Sequence, residues 1–147
     1  MYQRILLAVD GSSASNAALE EGIRFARDQG AKLRLVHALD FAPIGWAAEG
    51  YIDLSALQDV IRRNGQQILD QAAKLAEKSG VTVEMELLES YGKRIPTMII
   101  EATRNWPADL IVIGSHGRRG FDHLLLGSVA EAVMRTAPVP VLLIRAS

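Results

Sequence analysis

"DLIVIGSHGRRGFDHLLLGSVAEAVMRTAPVPVLLIR", residues 109–145, sets an apolar run, a glycine-rich segment, a helical stretch and a second apolar run in succession. Apolar runs without polar alternation, such as "DLIVIG" and "VPVLLIR", are what strands buried on both faces require. "SVAEAVMRTA" between them reads as a helix, so the two strands are predicted to be parallel, joined by a right-handed crossover. Within this stretch, residues 114–129 hold four glycines, two adjacent arginines and two histidines. Glycine loses more conformational entropy on folding than any other residue. A cluster of them marks backbone that takes positive φ or approaches something closely. The candidates are a phosphate, a neighbouring strand or a loose loop.

Upstream, the same alternation repeats. "RILLAVD" reads as a first strand and "ASNAALEEGIRFARDQG" as a helix that buries Ala18, Leu19, Ile23 and Ala26. Ser12 or Ser13 can cap its start, and Gly30 ends it. "KLRLVHAL" is a second strand, and "DFAPIGWAAEGYI" has no period and is read as a long loop, Asp40 to Ile52, mobile and close to any ligand. A long helix follows, with Leu57, Val60 or Ile61, Ile68, Ala72 and Leu75 at helical spacing, weakened at Asn64-Gly65. "VTVEMELLE" is a third strand, and "IPTMIIEATRNW" a short helix with Pro96 tolerable in its first turn.

Five strands interleaved with four helices predict one α/β domain over residues 1–147, a doubly wound parallel sheet of order 3-2-1-4-5 with helices on both faces. Ligands of such sheets sit outside the carboxyl ends of the strands, where strand order reverses. That places "AVDGSS" opposite "GSHGRRG" across a crevice. Composition narrows the classes further. The chain has 147 residues, half of them hydrophobic, with 16 Lys+Arg against 17 Asp+Glu. Balanced charge argues against a nucleic-acid binder. No cysteine and three histidines without H-x-x-x-H spacing argue against disulfides and a zinc site. "MYQRILLAVDGSS" has too short an apolar run for a signal peptide or a membrane span, so a cytoplasmic location is expected.

The glycine segment is neither a Walker A loop nor G-x-G-x-x-G. It does contain Gly114-x2-Gly117, nine further residues, and Gly127-Ser128 opening a helix. The N-terminus of that helix offers unpaired N–H groups and a positive dipole end to an anion. Ser128-x-x-Glu131 is also a capping-box pattern, so Ser128 serves either its own helix or a phosphate. His37 shares a strand face with Leu33, Leu35 and Leu39 and is read as a hydrogen-bonded interior histidine.

Together with "ILLAVDGSSASNAAL", "LVHALD" and "APVPVLLIR", this spacing resembles the nucleotide-binding branch of the universal stress protein family, whose signature is G-x2-G-x9-G-[S/T]. The resemblance spans essentially the whole chain. It implies the same five-stranded fold and binding of ATP or a related adenine nucleotide, usually by a homodimer. Asp10, next to Val9, matches the acidic residue that hydrogen-bonds the ribose. Ala38 stands where the family commonly has Val, whose backbone meets the adenine edge. Gly114, Gly117, Gly127 and Ser128 match the phosphate-binding positions, and the Val129 amide adds a donor. His116, Arg118 and Arg119 lie in the connecting loop, where basic groups can steer or hold the phosphate tail. His123 has no matching role. Magnesium is expected to be held by the phosphates and water.

The resemblance supports a nucleotide-dependent sensor or regulator of the stress response. The alternative is a weak ATP hydrolase or nucleotide-transfer enzyme, for which the sequence offers no P-loop lysine and no acidic pair near the glycines beyond Asp122. The last strand closes the sheet at an edge, so a homodimer is expected through Val139–Arg145.

Overall fold

In the computed structural model, residues 1–43, 53–116 and 126–146 are described. The first strand, β1 (Arg4–Ala8), leads into helix α1 (Ser13–Gln29), then β2 (Lys32–Asp40) and the long helix α2 (Leu54–Lys78). The chain continues through β3 (Val83–Ser90), α3 (Ile95–Asn105), β4 (Leu110–Gly114), α4 (Ser128–Thr136) and β5 (Val141–Ile144). The strands form one parallel sheet in the order β3-β2-β1-β4-β5, as the alternation of apolar runs and helices predicts. Order reverses beside β1, which pairs with both β2 and β4.

Side chains alternate between the two faces and so divide the core in two. Ile5, Leu7, Leu33, Leu35 and Val112 pack under α1 and α2, against Ala18, Leu19, Ile23, Leu69, Ala72 and Ala76. Leu6, Val36, Ile111 and Ile113 pack under α3 and α4, against Ile99, Ile100, Ala102, Ala130 and Val133. Both faces being covered is why these strands carry no polar alternation.

Local signals behave as their chemistry requires. Ser12 caps α1, its side chain accepting from the Ser15 amide. Gly30 ends that helix in the left-handed region at φ 64°, where a side chain would be strained. Pro96 sits in the first turn of α3, where no intrahelical donor is lost.

One sequence expectation is corrected and one open alternative is decided. On α2, Ala72 is buried and Ile61 rather than Val60 is partly covered, as the period allows, but Leu75 is exposed, and Gly65, Leu69, Ala73 and Ala76 are buried as well. Small residues bring the helix axis close to the sheet, and the larger aliphatics at its flanks are left at the edge of the contact. The second concerns α4. Its N-cap is Gly127, not Ser128, and no side chain caps it. Glu131 pairs instead with Arg135, one turn on. Of the two readings left open for Ser128, the capping box is therefore not formed. The loop expectation for residues 44–52, including Trp46, and that for residues 117–125 lie outside the described residues.

Candidate functional site

β1 stops at Ala8, but β2 runs on to Asp40. Past the end of β1, one edge of β2 therefore faces a space rather than a strand. Lys32 N–H donates to Gln3 and the Val36 carbonyl accepts from Val9, so the even-numbered residues of β2 turn their backbone groups toward β1. Leu33 and Phe41 donate instead to Thr82 and Ser90 on the β3 side. By this alternation the N–H and C=O of Ala38 point to where β1 has ended. A donor and an acceptor thus stand side by side at one wall of a cavity.

That cavity, about 410 Å³, lies at the carboxyl edge of the sheet where strand order reverses. Its volume is within the range of small-molecule sites. Val36, Leu39, Ile95, Ile99 and Ile113 make it largely apolar. Its polar lining comes from Asp10, Ser15, His37, His116 and Ser128 with the backbone of the strand ends.

Asp10 lies two residues beyond the end of β1, not within the strand. Its Oδ1 accepts from the Ser12 amide at 2.9 Å, and its own amide donates to Ser15 Oγ at 3.0 Å. The helix-entry role and a place on the cavity wall are thus combined in one residue.

On the opposite side, Ser115 N–H donates to the Ile144 carbonyl at 2.8 Å, and Gly127 N–H donates to the Ser115 carbonyl at 2.7 Å. The first bond ties the end of β4 to β5, and the second brings the start of α4 to the end of β4. The amides of Ser128, Val129 and Ala130 lie in the first turn of α4, where an α-helix offers no intrahelical acceptor. All three residues line the cavity. His116 Nδ1 is 2.9 Å from Ser115 Oγ, and its buried Nε2 has no hydrogen-bond partner among the described residues. A buried polar atom without a partner is costly, and a ligand acceptor would relieve it.

Packing requires a glycine at position 114. A Cβ there would lie 2.8 Å from the backbone C and O of Ala14. The end of β4 and the start of α1 touch through this residue. On α2, outside the cavity lining, hydrogen bonds and charge from Glu89 and Asp59 raise the Arg62 pKa above its ordinary value, and Arg62 lies over the Phe41 ring at 5.0 Å.

Of the residues singled out from sequence, Val9, Asp10, Ala38, Gly114, His116, Gly127, Ser128 and Val129 line this one cavity. Gly117, Arg118, Arg119 and His123 lie outside the described residues. His37, read as interior, is buried and hydrogen-bonded to the Val9 carbonyl, yet it also reaches the cavity wall. Sequence reasoning missed Ser15, which looks like any residue of a helix first turn, and the isoleucines Ile95, Ile99 and Ile113. Only the position of Ile113 beside the glycine segment signalled its place.

Fold and site define a doubly wound α/β protein with a small-molecule cavity at its topological switch point. A sequence model of the universal stress protein family matches residues 1–145, and the chain belongs to that family. It is 35% identical over 147 residues to universal stress protein MJ0531 of Methanocaldococcus jannaschii, covering 99% of this chain and 83% of the relative. A crystal structure of a universal stress protein family member from Burkholderia pseudomallei is 34% identical and superposes with a TM-score of 0.78, covering 97% of this chain and 96% of that one. The universal stress protein from Archaeoglobus fulgidus in complex with dAMP is 29% identical, with a TM-score of 0.69 over 97% of this chain and 98% of that one.

Proposed function

We propose that the protein binds an adenine nucleotide, ATP above all, and acts as a nucleotide-dependent sensor or regulator in the stress response. The observation that carries this reading is the paired donor and acceptor of Ala38 at an apolar wall, opposite the uncapped start of α4. Adenine presents an acceptor at N1 beside a donor at N6, the complement of that pair. Guanine presents the reverse, a donor at N1 beside an acceptor at O6. The base would lie between Ala38 and the isoleucines. Asp10, acceptor-only when ionised, suits the ribose hydroxyls. The phosphates would meet the amides of Ser128 and Val129 and the Nε2 of His116. A family relative solved with dAMP supports the same ligand class.

Magnesium would arrive with the phosphates and complete its shell with water. Among the described residues, no group of three or more His, Cys, Asp or Glu is placed to hold a metal by itself. Gly117 and Arg118 belong to the same reading through the family spacing, as further phosphate contacts. Turnover is expected to be negligible or very slow, since the motif supplies no P-loop lysine to neutralise charge on the phosphates.

Calorimetric titration of ATP into the parent and into Gly127→Val tests the site. The valine takes up space at the start of α4 that the phosphates need, so binding should be lost in a variant that remains folded. Unchanged affinity would place the nucleotide elsewhere. Steady hydrolysis on the order of 10 per second, abolished by one cavity substitution, would favour the enzyme reading instead.

A further inference from the structure

The carbonyl of Val9 and the amide of Asp10 belong to one planar peptide unit. Both ends of that unit are held by side chains. His37 Nδ1, from β2, lies 2.7 Å from the Val9 carbonyl oxygen, and Ser15 Oγ, from α1, accepts from the Asp10 amide at 3.0 Å. A carbonyl only accepts, so Nδ1 carries the proton in this bond. The Val9 amide is fixed as well, donating to the Val36 carbonyl at 2.9 Å. The plane that sets the direction of the Asp10 side chain cannot turn without breaking bonds at both ends.

His37 is itself wedged in place. It is 7% exposed, and α2 rests on its ring through a glycine. A Cβ on Gly65 would lie 2.8 Å from His37 Cδ2, 3.3 Å from its Nε2 and 3.1 Å from Leu87 Cδ1. A methyl group at that point has to displace the imidazole. Gly65 is not part of the cavity wall, so α2 reaches the cavity through the histidine alone at this point.

The geometry points to His37, seated by Gly65 and opposed by Ser15, as a positioning residue that aims the Asp10 carboxylate and thereby sets how strongly the site prefers a ribose over a 2′-deoxyribose nucleotide. The assignment rests on the adenine-nucleotide reading above. A hydrogen bond from a ribose hydroxyl to a carboxylate is charge-assisted, and its strength falls off with misdirection. Losing the aim therefore costs discrimination between the sugars before it costs contacts made by the base or the phosphates.

The test has two parts. In the nucleotide-free protein, amide hydrogen exchange at Asp10 reads the clamp directly. Protection should fall in His37→Phe, Ser15→Ala and Gly65→Ala. It should return in His37→Asn, whose amide nitrogen stands near the position of Nδ1. In the second part, the affinity ratio of ATP to 2′-deoxy-ATP is measured for each folded variant. The parent should favour ATP by about tenfold, the scale of one hydrogen bond to a charged group. The ratio should fall toward one in His37→Phe and Gly65→Ala and recover in His37→Asn. In an Asp10→Ala background, His37→Phe should change the ratio no further.

If His37→Phe weakens both nucleotides equally, or leaves both the ratio and Asp10 protection unchanged, the positioning role is wrong. A parent that binds both sugars alike also overturns it, while leaving the nucleotide reading standing. A parent that binds no adenine nucleotide overturns that reading and this assignment with it. Should His37→Phe fail to fold, Ser15→Ala and Gly65→Ala decide the matter by the same two readouts.

Discussion

Ser128 occupies the first position of α4, behind an N-cap supplied by Gly127 and without a capping bond of its own. From sequence alone its two roles, cap and phosphate ligand, use the same geometry, and nothing in Ser-x-x-Glu separates them. The structure removes the first. Ser128→Ala should therefore change stability by less than about 0.5 kcal/mol, where loss of a true cap costs about 1 kcal/mol. Urea denaturation checks this, and ATP affinity should drop in the same variant only as far as the lost hydroxyl donates to a phosphate, since the amide remains. Gly114 behaves oppositely. Its missing Cβ makes room for the backbone of Ala14, so Gly114→Ala should destabilise by roughly 1–3 kcal/mol, the range for overpacking, with any binding loss following from that. The sequence shows that glycine is needed there but not what it approaches, because the neighbour is a hundred residues away. His37 carries the same lesson. Its parity with Leu33 and Leu35 marks it as inward-facing, but its bond to Val9 depends on where β1 stops.

At the level of elements, strands and helices were legible because each apolar run is short and bounded by turn residues, and each helix carries a clear start or stop. Contact faces were less so. α1 buries the four residues its period marks, whereas α2 turns Gly65, Ala72, Ala73 and Ala76 to the sheet. Hydrophobic period finds large side chains, and a helix that packs closely does so through small ones. Two truncations measure the difference. Leu69 is fully buried, so Leu69→Ala should cost about 2–5 kcal/mol. Leu75, 49% exposed, should cost under about 1 kcal/mol by the same change, read as a shift in the denaturation midpoint. Equal losses would mean that the buried face of α2 is drawn wrongly.

The molecule as a whole presents β5 at the edge of the sheet, its four residues each half-buried. Homodimerisation through Val139–Arg145 is the proposal for that edge. The register says which donors are available. Pro140 and Ile144 carbonyls accept from Ile111 of β4 and from Ser115 just beyond it, so the even-numbered residues face inward and Val141 and Leu143 turn their amides outward. Leu143→Pro removes an outward donor and leaves pairing with β4 intact, the position where a strand tolerates proline. Light scattering should give a dimer for the parent at micromolar concentration and a monomer for Leu143→Pro. A parent monomer would end the proposal, and a dimer that survives the proline would move the interface to another surface.

If the cavity beside β1 reads adenine through the backbone of Ala38, competition between bases will show it. ATP and GTP carry the same phosphates and sugar, so a titration of each into the parent isolates the base. ATP should bind at least about a hundredfold tighter, because GTP, held in the same orientation by its sugar and phosphates, would set donor against donor and acceptor against acceptor at Ala38. Equal affinity for ATP and GTP, or a preference for GTP, would contradict it.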